Sequence, residues 1–305
     1  MVASAVCAAV SPRPAPAAPP PAGGGATAPS YAQPAEGLLI IVADVQRHLA
    51  DDVYRFPFPT DITGRNIFRA SLVRLANYSK LYPGRLADIV ALTEAQAWER
   101  LGGFREAGAA YERARTATKD DAVRRAAKEG YERVKKVSAV ADLEPDRANL
   151  RTYERDLRKI VGDLGELAAG WRATPAESTA LVARERNQMI LAEFYVTMRF
   201  VDPFSTDQAE EELKRVLESN RDSKLRYAHH LRLGDFLFER AREYALRNDP
   251  EGGTFRMAEL EAFTNRARAE YKLVEEADGF PEKLEGRAKL LALEAFVDRM
   301  DEKSR

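Results

Sequence analysis

The chain has 305 residues and a mass of 34.0 kDa, and 45% of its residues are hydrophobic and 31% charged, which is typical of a helix-rich protein with a sizeable core. Its formal net charge of -1 and pI near 6.4 argue against nucleic acid as a partner, because duplex binding normally needs a domain with clustered Lys and Arg. No apolar run approaches the roughly 18 residues that cross a bilayer. We therefore predict no integral membrane segment in this sequence.

Residues 1–35 are rich in Pro, Ala and Gly. Such a composition cannot bury enough apolar surface to fold, so it predicts a disordered tether. The single cysteine of the chain, Cys7, follows a run of small residues, and this arrangement resembles the end of a bacterial lipoprotein signal. The resemblance implies a lipid on Cys7, peripheral membrane attachment and a periplasmic or other extracytoplasmic location, provided that a charged and apolar leader is encoded upstream. The alternative is a disordered tail in the cytoplasm.

At Glu36 the composition changes to that of a folded domain, which we place at residues 36–305. Residues 37–50 predict a short apolar helix. The loop at residues 51–66 then carries Phe56-Pro57-Phe58-Pro59, whose prolines forbid a helix and hold both phenylalanines in extended backbone. We interpret this loop as a flap that covers the apolar end of a helix stack, and a docking surface is the alternative.

The segment 88–121 has the clearest pattern in the chain. It predicts two helices joined by Gly102 and Gly103, because glycine can take the positive φ of a tight reversal. Small and aromatic residues recur at three- and four-residue spacing on one face of each helix: Ala95 and Trp98 on the first, and Ala107, Tyr111 and Ala114 on the second. This pattern resembles the tetratricopeptide repeat (TPR). The resemblance implies an all-α fold, a right-handed superhelical stack of antiparallel helical hairpins (an α-solenoid), and a non-catalytic role in binding a protein or peptide.

The repeat pattern matches best at residues 66–121 and 175–280, and the region between them matches no repeat consensus. In the first region, Asn66 is predicted to cap a helix that carries Ser71, Leu75 and Tyr78 at repeat-like spacing. In the second region, two helix starts are predicted at Thr174-Pro175-Ala176-Glu177 and at Ser205 with Gln208. The repeat signatures of that region are Leu233-Gly234 for a first helix and Ala267, Tyr271 and Val274 for a second.

Two apolar faces are predicted in the C-terminal half. One comprises Ala176, Ala180, Ala183, Ile190, Phe194 and Val201. The other follows Pro281 in the last helix and comprises Leu284, Ala288, Leu291 and Ala295. We expect this last face to pack on the stack and a charged face to point outward, because the end of a solenoid needs a polar cap.

The candidate ligand groove follows from the TPR resemblance, in which the first helices of the hairpins line the concave side. The corresponding residues here are Gln96, Glu99, Arg100, Tyr195, Met198, Arg232, Asp235 and Glu239. They combine polar hydrogen-bonding groups with adaptable apolar ones, as peptide-binding grooves do. The alternative is ordinary helix surface. The resemblance implies an unidentified protein or peptide as the partner.

The sequence carries little that indicates an enzyme. Of the three histidines, His229 and His230 are adjacent, and neighbouring residues on a helix point about 100° apart, so they cannot hold one metal together. His229 lies on an apolar stripe and is predicted to be buried and bonded to backbone. Phosphate loops, nucleophile elbows and zinc-protease motifs do not occur. We predict no catalytic residue, metal or cofactor; a self-associating structural protein, a homo-oligomer, is the main rival, and a helical-fold enzyme ranks third.

A cluster of basic residues lies between the two repeat regions. It comprises Arg113, Arg115, Lys119, Arg124, Arg125, Lys128, Arg133, Lys135 and Lys136, with acidic residues interspersed. We interpret it as a solvated helix face. The alternative is a basic strip that meets an acidic partner or anionic lipid headgroups.

Overall fold

The computed structural model describes residues 32–50 and 65–304, and within these residues every regular element is an α-helix. The helices are α1 (Ala32–Ala50), α2 (Arg65–Leu81), α3 (Ala87–Leu101), α4 (Phe104–Ala117), α5 (Asp121–Ala141), α6 (Leu150–Gly170), α7 (Pro175–Met198), α8 (Ser205–Ser219), α9 (Arg226–Arg247), α10 (Met257–Glu275) and α11 (Glu282–Ser304). The predicted all-α class is confirmed for this part of the chain. The predictions for Cys7, for most of the tether and for the Phe-Pro loop fall outside the described residues.

The helices pack in chain order. Each described helix contacts the next one, and the more extensive contacts between helices two apart all join odd-numbered helices: α1 with α3, α3 with α5, α5 with α7, and α9 with α11. The odd-numbered helices therefore form two runs of neighbours, α1–α3–α5–α7 and α9–α11. Two core clusters hold the helices together, one from α3 to α7 around Tyr111 and Leu164, the other from α6 to α11 around Phe236 and Tyr271. Because α6 and α7 contribute to both clusters, they join the two halves of the chain.

The predicted hairpin of α3 and α4 is present. Gly102 ends α3 with a φ of 77°, and its N–H bonds to the carbonyl oxygen of Glu99 at 3.1 Å. Gly103 has a φ of -82°, so only the first of the two glycines uses the left-handed conformation. Ala95 and Ala107 are fully buried between the helices, as their spacing predicts.

Two helix pairs are held together by a tyrosine ring that lies directly on a glycine. A Cβ atom added to Gly234 in α9 would lie 2.6 Å from Cε1 of Tyr271 in α10. A Cβ atom on Gly130 in α5 would lie 2.3 Å from Cζ of Tyr111 in α4. Real contacts of this kind are never so short, so only glycine lets these rings reach the neighbouring helix backbone. The first contact joins the two repeat signatures of the C-terminal region, and the second lies partly in the region without a repeat match.

Three predicted helix starts differ in detail. Asn66 lies inside the first turn of α2, which begins one residue earlier, and Ser205 is the first residue of α8, with its hydroxyl bonded to Asp202 at 3.3 Å. Thr174 does stand at the N-cap of α7, but its hydroxyl donates to a backbone oxygen of the preceding turn. Glu177 accepts the N–H of the residue before Thr174 at 2.7 Å. Thr174 and Glu177 therefore bond to the preceding turn, and not to each other's backbone N–H groups as in a capping box.

The predicted apolar face of α7 is wrong in its second half. Ile190 and Val201 are exposed, and α7 ends before Val201 is reached. Leu191 and Tyr195 are buried in their place. The reason is that α7 packs against α5, α6 and α8, so its core-facing side changes along its length and no single stripe describes it.

The predicted apolar face of the last helix is also wrong. Leu284 and Leu291 are 74% and 64% exposed, and Ala288 and Ala295 are exposed beside them. The side of α11 that packs on α9 and α10 instead carries Gly286, Leu293 and Met300, which recur every seven residues. This terminal helix therefore presents an apolar stripe outward, where a polar cap was expected.

Candidate functional site

The candidate site is a groove between the N-terminal helices α1 to α3 on one side and α7 with the α8–α9 turn on the other, called here the α3–α7 groove. It consists of two adjoining clefts of about 290 and 430 Å³ that share Arg100. Three of the predicted groove residues, Gln96, Glu99 and Arg100, line the smaller cleft. The smaller cleft is lined by residues of α1, α3, α5 and α7 together with Tyr111 of α4.

Arg100 connects the walls of the groove. Its Nη1 donates to Oγ of Ser178 on α7 at 3.3 Å, and its Nη2 donates to the carbonyl oxygen of Leu49 on α1 at 3.4 Å. One turn earlier, Oε1 of Gln96 accepts from Nε2 of Gln46 at 2.7 Å. Gln96 and Arg100, two of the three predicted groove residues of α3, therefore hold α1 and α7 in place and still line the open space.

Glu99 lies at the floor of the smaller cleft and is only 8% exposed. Both of its oxygens accept from the Arg133 guanidinium, at 2.6 and 2.7 Å. The hydroxyls of Tyr111 and Thr179 donate to it at 2.6 and 2.9 Å. These four residues come from α3, α4, α5 and α7, so one carboxylate ties four helices together. Glu99 is part of the framework of the groove and not a group free to meet a ligand.

The electrostatics of this network fit an ionised carboxylate. Burial raises the pKa of Glu99, but the hydrogen bonds and charge of Arg133, together with the Tyr111 and Thr179 hydroxyls, outweigh burial and hold the pKa below its ordinary value. Burial and the Glu99 charge raise the pKa of the Tyr111 hydroxyl. At neutral pH, Glu99 is therefore charged and Tyr111 is a neutral donor.

A second buried carboxylate, Glu185 of α7, borders the larger cleft. Its Oε1 accepts from the Ser223 hydroxyl at 2.5 Å and lies 2.7 Å from Nε2 of His229. Activation of a serine nucleophile would require the histidine between the serine and the acid. Here the carboxylate stands between them, an arrangement that anchors the start of α9 to α7. The predicted burial of His229 is confirmed, and the predicted bond to backbone is wrong, because its partner is Glu185.

The predicted groove residues of the C-terminal half do not converge on this site. Tyr195 is buried, and its hydroxyl bonds to Glu154 and accepts from Nη2 of Arg158 at 2.8 Å. Met198 is partly exposed near the end of α7. Tyr195 thus fixes α6 against α7, and its side chain is not on the surface.

The three predicted positions on α9 are held in ion pairs with neighbouring helices. Arg232 donates to both carboxylate oxygens of Glu193 at 2.5 and 2.9 Å. Asp235 accepts from the Tyr271 hydroxyl at 2.8 Å and from Lys289 at 2.7 Å, and Glu239 accepts from Arg199 at 2.8 Å. Arg232 and Glu239 also line a separate shallow cleft of about 470 Å³ at the end of α7. A ligand role for these residues stays a prediction.

The structure adds groove residues that the repeat pattern does not indicate. Leu181 and Val182 are partly exposed on α7 and face the larger cleft, where buried Phe68 forms part of the opposite wall. The sequence signal that could have found them is the pair of large apolar residues between Ala180 and Ala183, both of which are buried. At about 100° per residue, Leu181 and Val182 each lie about 130° from the middle of the Ala180–Ala183 stripe, so two large apolar side chains there point away from the buried side of α7.

Part of the basic cluster is ion-paired, and another part lines a cleft. Arg113, Arg115 and Arg124 form exposed ion pairs, and Arg133 is bonded to Glu99. Others line a shallow cleft of about 440 Å³ beside Trp171: Arg125, Lys128 and Lys136, with Glu129 and Glu132 among them. Because both signs line this cleft, the interpretation as a solvated face and the alternative of an acidic partner both stay predictions.

The described ranges contain neither a candidate metal site nor a membrane-spanning helix. There, His, Cys, Asp and Glu form no group of three or more suited to a metal ion. Within the same ranges, no helix is both long and apolar enough to span a bilayer.

Comparisons of the chain with family models, with curated proteins and with solved structures gave no match. Any functional conclusion must therefore rest on the residues and their geometry.

Proposed function

We propose that this protein is a TPR-like α-solenoid that binds a protein or peptide segment, without catalysis, in the α3–α7 groove. The observation that carries the proposal is the larger cleft, in which Leu181 and Val182 expose apolar side chains beside the guanidinium of Arg100. Peptide grooves combine apolar contacts for side chains with a few fixed polar groups that orient the backbone.

The solenoid part of the proposal has two supports. The odd-numbered helices contact one another in two runs, α1–α3–α5–α7 and α9–α11, and Glu185 and Glu193 of α7 bond to His229 and Arg232 of α9; the first helices of TPR hairpins are arranged in a similar way. The Gly234 and Tyr271 signatures, identified from the sequence, lie in direct contact. Neither observation depends on the other.

The two buried carboxylates support binding over catalysis. Both oxygens of Glu99 accept hydrogen bonds, from Arg133, Tyr111 and Thr179, and Oε1 of Glu185 is bonded to Ser223 in the α8–α9 turn and to His229 of α9. A catalytic acid or base must reach a substrate proton, and a carboxylate whose hydrogen bonds are all made inside the fold is better suited to hold a groove open. The rigid walls then lower the entropy cost of binding an extended segment.

The proposal predicts that Leu181→Glu abolishes partner capture. The new carboxylate would stand in the apolar part of the groove, beside Glu185, where a bound apolar side chain would leave it without water. The measurement is capture from a lysate of the source organism by immobilised full-length protein, followed by mass spectrometry. We expect proteins retained by the unsubstituted chain to fall at least tenfold with the variant.

The matched control for this experiment is Leu273→Glu. Leu273 lies on α10 with an exposed fraction close to that of Leu181, and it lines none of the clefts described above. Both substitutions are at surface positions and should change the free energy of unfolding by about 0.5 kcal/mol or less. If both variants retain the same proteins as the unsubstituted chain, the α3–α7 groove is not the binding site.

The extracytoplasmic location is a separate proposal and rests on the sequence around Cys7. If it is correct, cells grown with a labelled fatty acid will incorporate the label into the protein, and Cys7→Ser will move the protein from the membrane to the soluble fraction. A protein without label in the soluble fraction would favour the cytoplasmic alternative and would leave the proposed groove untouched.

A further inference from the structure

Arg199, the C-cap residue of α7, is a buried cation with unused hydrogen-bond donors. Only 4% of its side chain is exposed, and its Nη2 lies 2.8 and 3.0 Å from carboxylate oxygens of Glu239 and Glu243. Its Nε and Nη1 are also buried, and neither has a hydrogen-bond partner within residues 32–50 and 65–304. A buried donor without an acceptor costs free energy, so these two groups point to an acceptor that a ligand supplies.

The guanidinium of Arg199 lies at a shallow cleft of about 470 Å³ between the ends of α7 and α9, called here the Arg199 cleft. Its Cζ lies 4.6 Å from the centre of the Phe200 ring and 5.2 Å from that of Phe236. Phe236 is fully buried, whereas Phe200 is 72% exposed and lines the cleft with Leu246, which is 86% exposed. A rotation of one exposed side chain, Phe200, therefore gives a ligand access to the buried donors.

We propose that the Arg199 cleft binds an uncharged apolar peptide segment of a partner protein, with a backbone carbonyl oxygen of the segment accepting from Arg199. Main-chain hydrogen bonds of this kind give a peptide affinity, and contacts with its side chains give specificity. Phe200 and Leu246 supply the apolar contacts for one large side chain of the segment. Binding then removes from water two apolar side chains that the fold leaves exposed.

The charges around the cleft favour an uncharged ligand. The cleft and the partner of Arg232 together carry equal numbers of basic and acidic residues: Arg199, Arg232 and Arg242, with Glu193, Glu239 and Glu243. A carboxylate bound to Arg199 would lie near Glu239 and Glu243, which repel it. A carbonyl oxygen supplies the missing acceptor without this repulsion.

The Arg199 cleft lies outside the α3–α7 groove, so this inference goes beyond the proposed function and does not depend on it. Val182 in the groove and Val196 in the cleft are both on α7. Their separation along the helix is about 21 Å, and their directions differ by about 40°. An extended segment of about seven residues spans this distance. A partner that fills both sites would bind more tightly than one that fills either, because the second contact becomes intramolecular.

The test is nuclear magnetic resonance of the isotope-labelled full chain, titrated with N-acetyl-phenylalaninamide, which carries an apolar ring, two amide carbonyls and no charge. We expect the Nε–H proton of Arg199 to move downfield and to saturate, because a carbonyl oxygen becomes its acceptor. The dissociation constant should be about 1 mM, as expected for a ligand of about 15 non-hydrogen atoms. The signal is assigned by its loss in Arg199→Lys. If the signal does not move in a saturable way, the proposal is overturned.

Two exposed phenylalanines of the same turn give a matched pair of variants that does not disturb the core. Phe200 lines the cleft, and Phe204, which is 84% exposed, does not. We expect Phe200→Ala to weaken binding of N-acetyl-phenylalaninamide about fivefold, the value of one aromatic contact, and Phe204→Ala to leave it unchanged. Equal effects of the two substitutions, or no effect of Phe200→Ala, would place the ligand elsewhere and reject the Arg199 cleft.

The charged analogue N-acetyl-phenylalanine tests the chemistry of the ligand. It keeps the ring and replaces the terminal amide by a carboxylate, so repulsion from Glu239 and Glu243 should weaken its binding to the full chain. Equal or tighter binding of the carboxylate would contradict the assignment of an uncharged segment and would make an acidic segment the occupant. Neither the probes nor the two phenylalanine variants involve the α3–α7 groove. A negative result here therefore leaves the proposed function intact, and failure of the Leu181→Glu experiment leaves this inference intact.

Discussion

Replacing Gly130 or Gly234 with alanine should destabilise the protein by about 2–3 kcal/mol, the opposite of what alanine does in an ordinary helix. Inside a helix, alanine is favoured over glycine by about 1 kcal/mol. Here the added methyl group would lie 2.3 Å from the ring of Tyr111 or 2.6 Å from that of Tyr271, and both rings are fully buried. The ring must move, and the hydrogen bond from the Tyr111 hydroxyl to Glu99 would move with it.

The matched control is Gly162→Ala in α6. Gly162 is also inside a helix, but a Cβ atom there would meet nothing within 4 Å. We expect this variant to be more stable than the unsubstituted protein by up to about 1 kcal/mol. Urea denaturation followed by circular dichroism measures all three variants. Equal gains in stability at the three sites would mean that the two tyrosine rings do not lie on the helix backbone as described.

The glycine contacts also show what the sequence can and cannot predict about the fold. The spacing of the repeat indicates Gly234 in a first helix and Tyr271 in a second, and in the structure the two residues are in contact. The repeat pattern does not indicate Gly130, because the match that includes its partner Tyr111 ends at residue 121. Helical periodicity is a local property, so it identifies helices well and identifies a partner helix only where a repeat supplies the register.

The last helix shows how a correct period can predict the wrong face. Leu284, Ala288, Leu291 and Ala295 have helical spacing, but the opposite side of α11 carries Leu290, Leu293, Phe296 and Met300 and is the more apolar of the two. Packing uses the other stripe, because Gly286 lets α11 lie close to α10: a Cβ atom there would be 3.0 Å from Cγ1 of Val274. Spacing alone therefore does not select the buried face: the larger apolar side chains and the close approach at Gly286 lie on the same side of α11.

The spacing of the sequence brings three predicted groove residues to one cleft, but it does not indicate how deeply they are buried, and a ligand role for them stays a prediction. Gln96, Glu99 and Arg100 were placed together on the correct helix and do line one cleft. The burial of Glu99 follows from Arg133 and Thr179, which lie 34 and 80 residues further along the chain. No local pattern records such distant partners, so an acidic residue on a predicted helix surface could not be recognised as a buried one.

Replacing Glu99 with glutamine should remove about 3 kcal/mol of stability at pH 7, the lower end of the cost of breaking a buried ion pair. The side chain of Arg133 is 25% exposed, so water can recover part of its lost interaction. The amide keeps the size of the carboxylate, but its NH₂ group cannot accept a hydrogen bond from the guanidinium. Arg133 is then left partly buried with its charge uncompensated. Urea denaturation at pH 7 measures the loss, and Glu94→Gln on the same helix is the control, because Glu94 pairs with Arg113 at the surface and should contribute less than about 0.5 kcal/mol.

The loss should also depend on pH, with a sign fixed by the pKa of Glu99. Because the folded protein holds this pKa below its ordinary value, the carboxylate stabilises the fold fully above the unfolded pKa of about 4.3. That stabilisation disappears as the pH falls through the lower, folded pKa. The difference in the free energy of unfolding between the unsubstituted protein and Glu99→Gln should therefore be largest near neutral pH and should shrink as the pH falls below about 4. A difference that stays constant between pH 7 and pH 3 would mean that the charge of Glu99 does not stabilise the junction of α3, α4, α5 and α7.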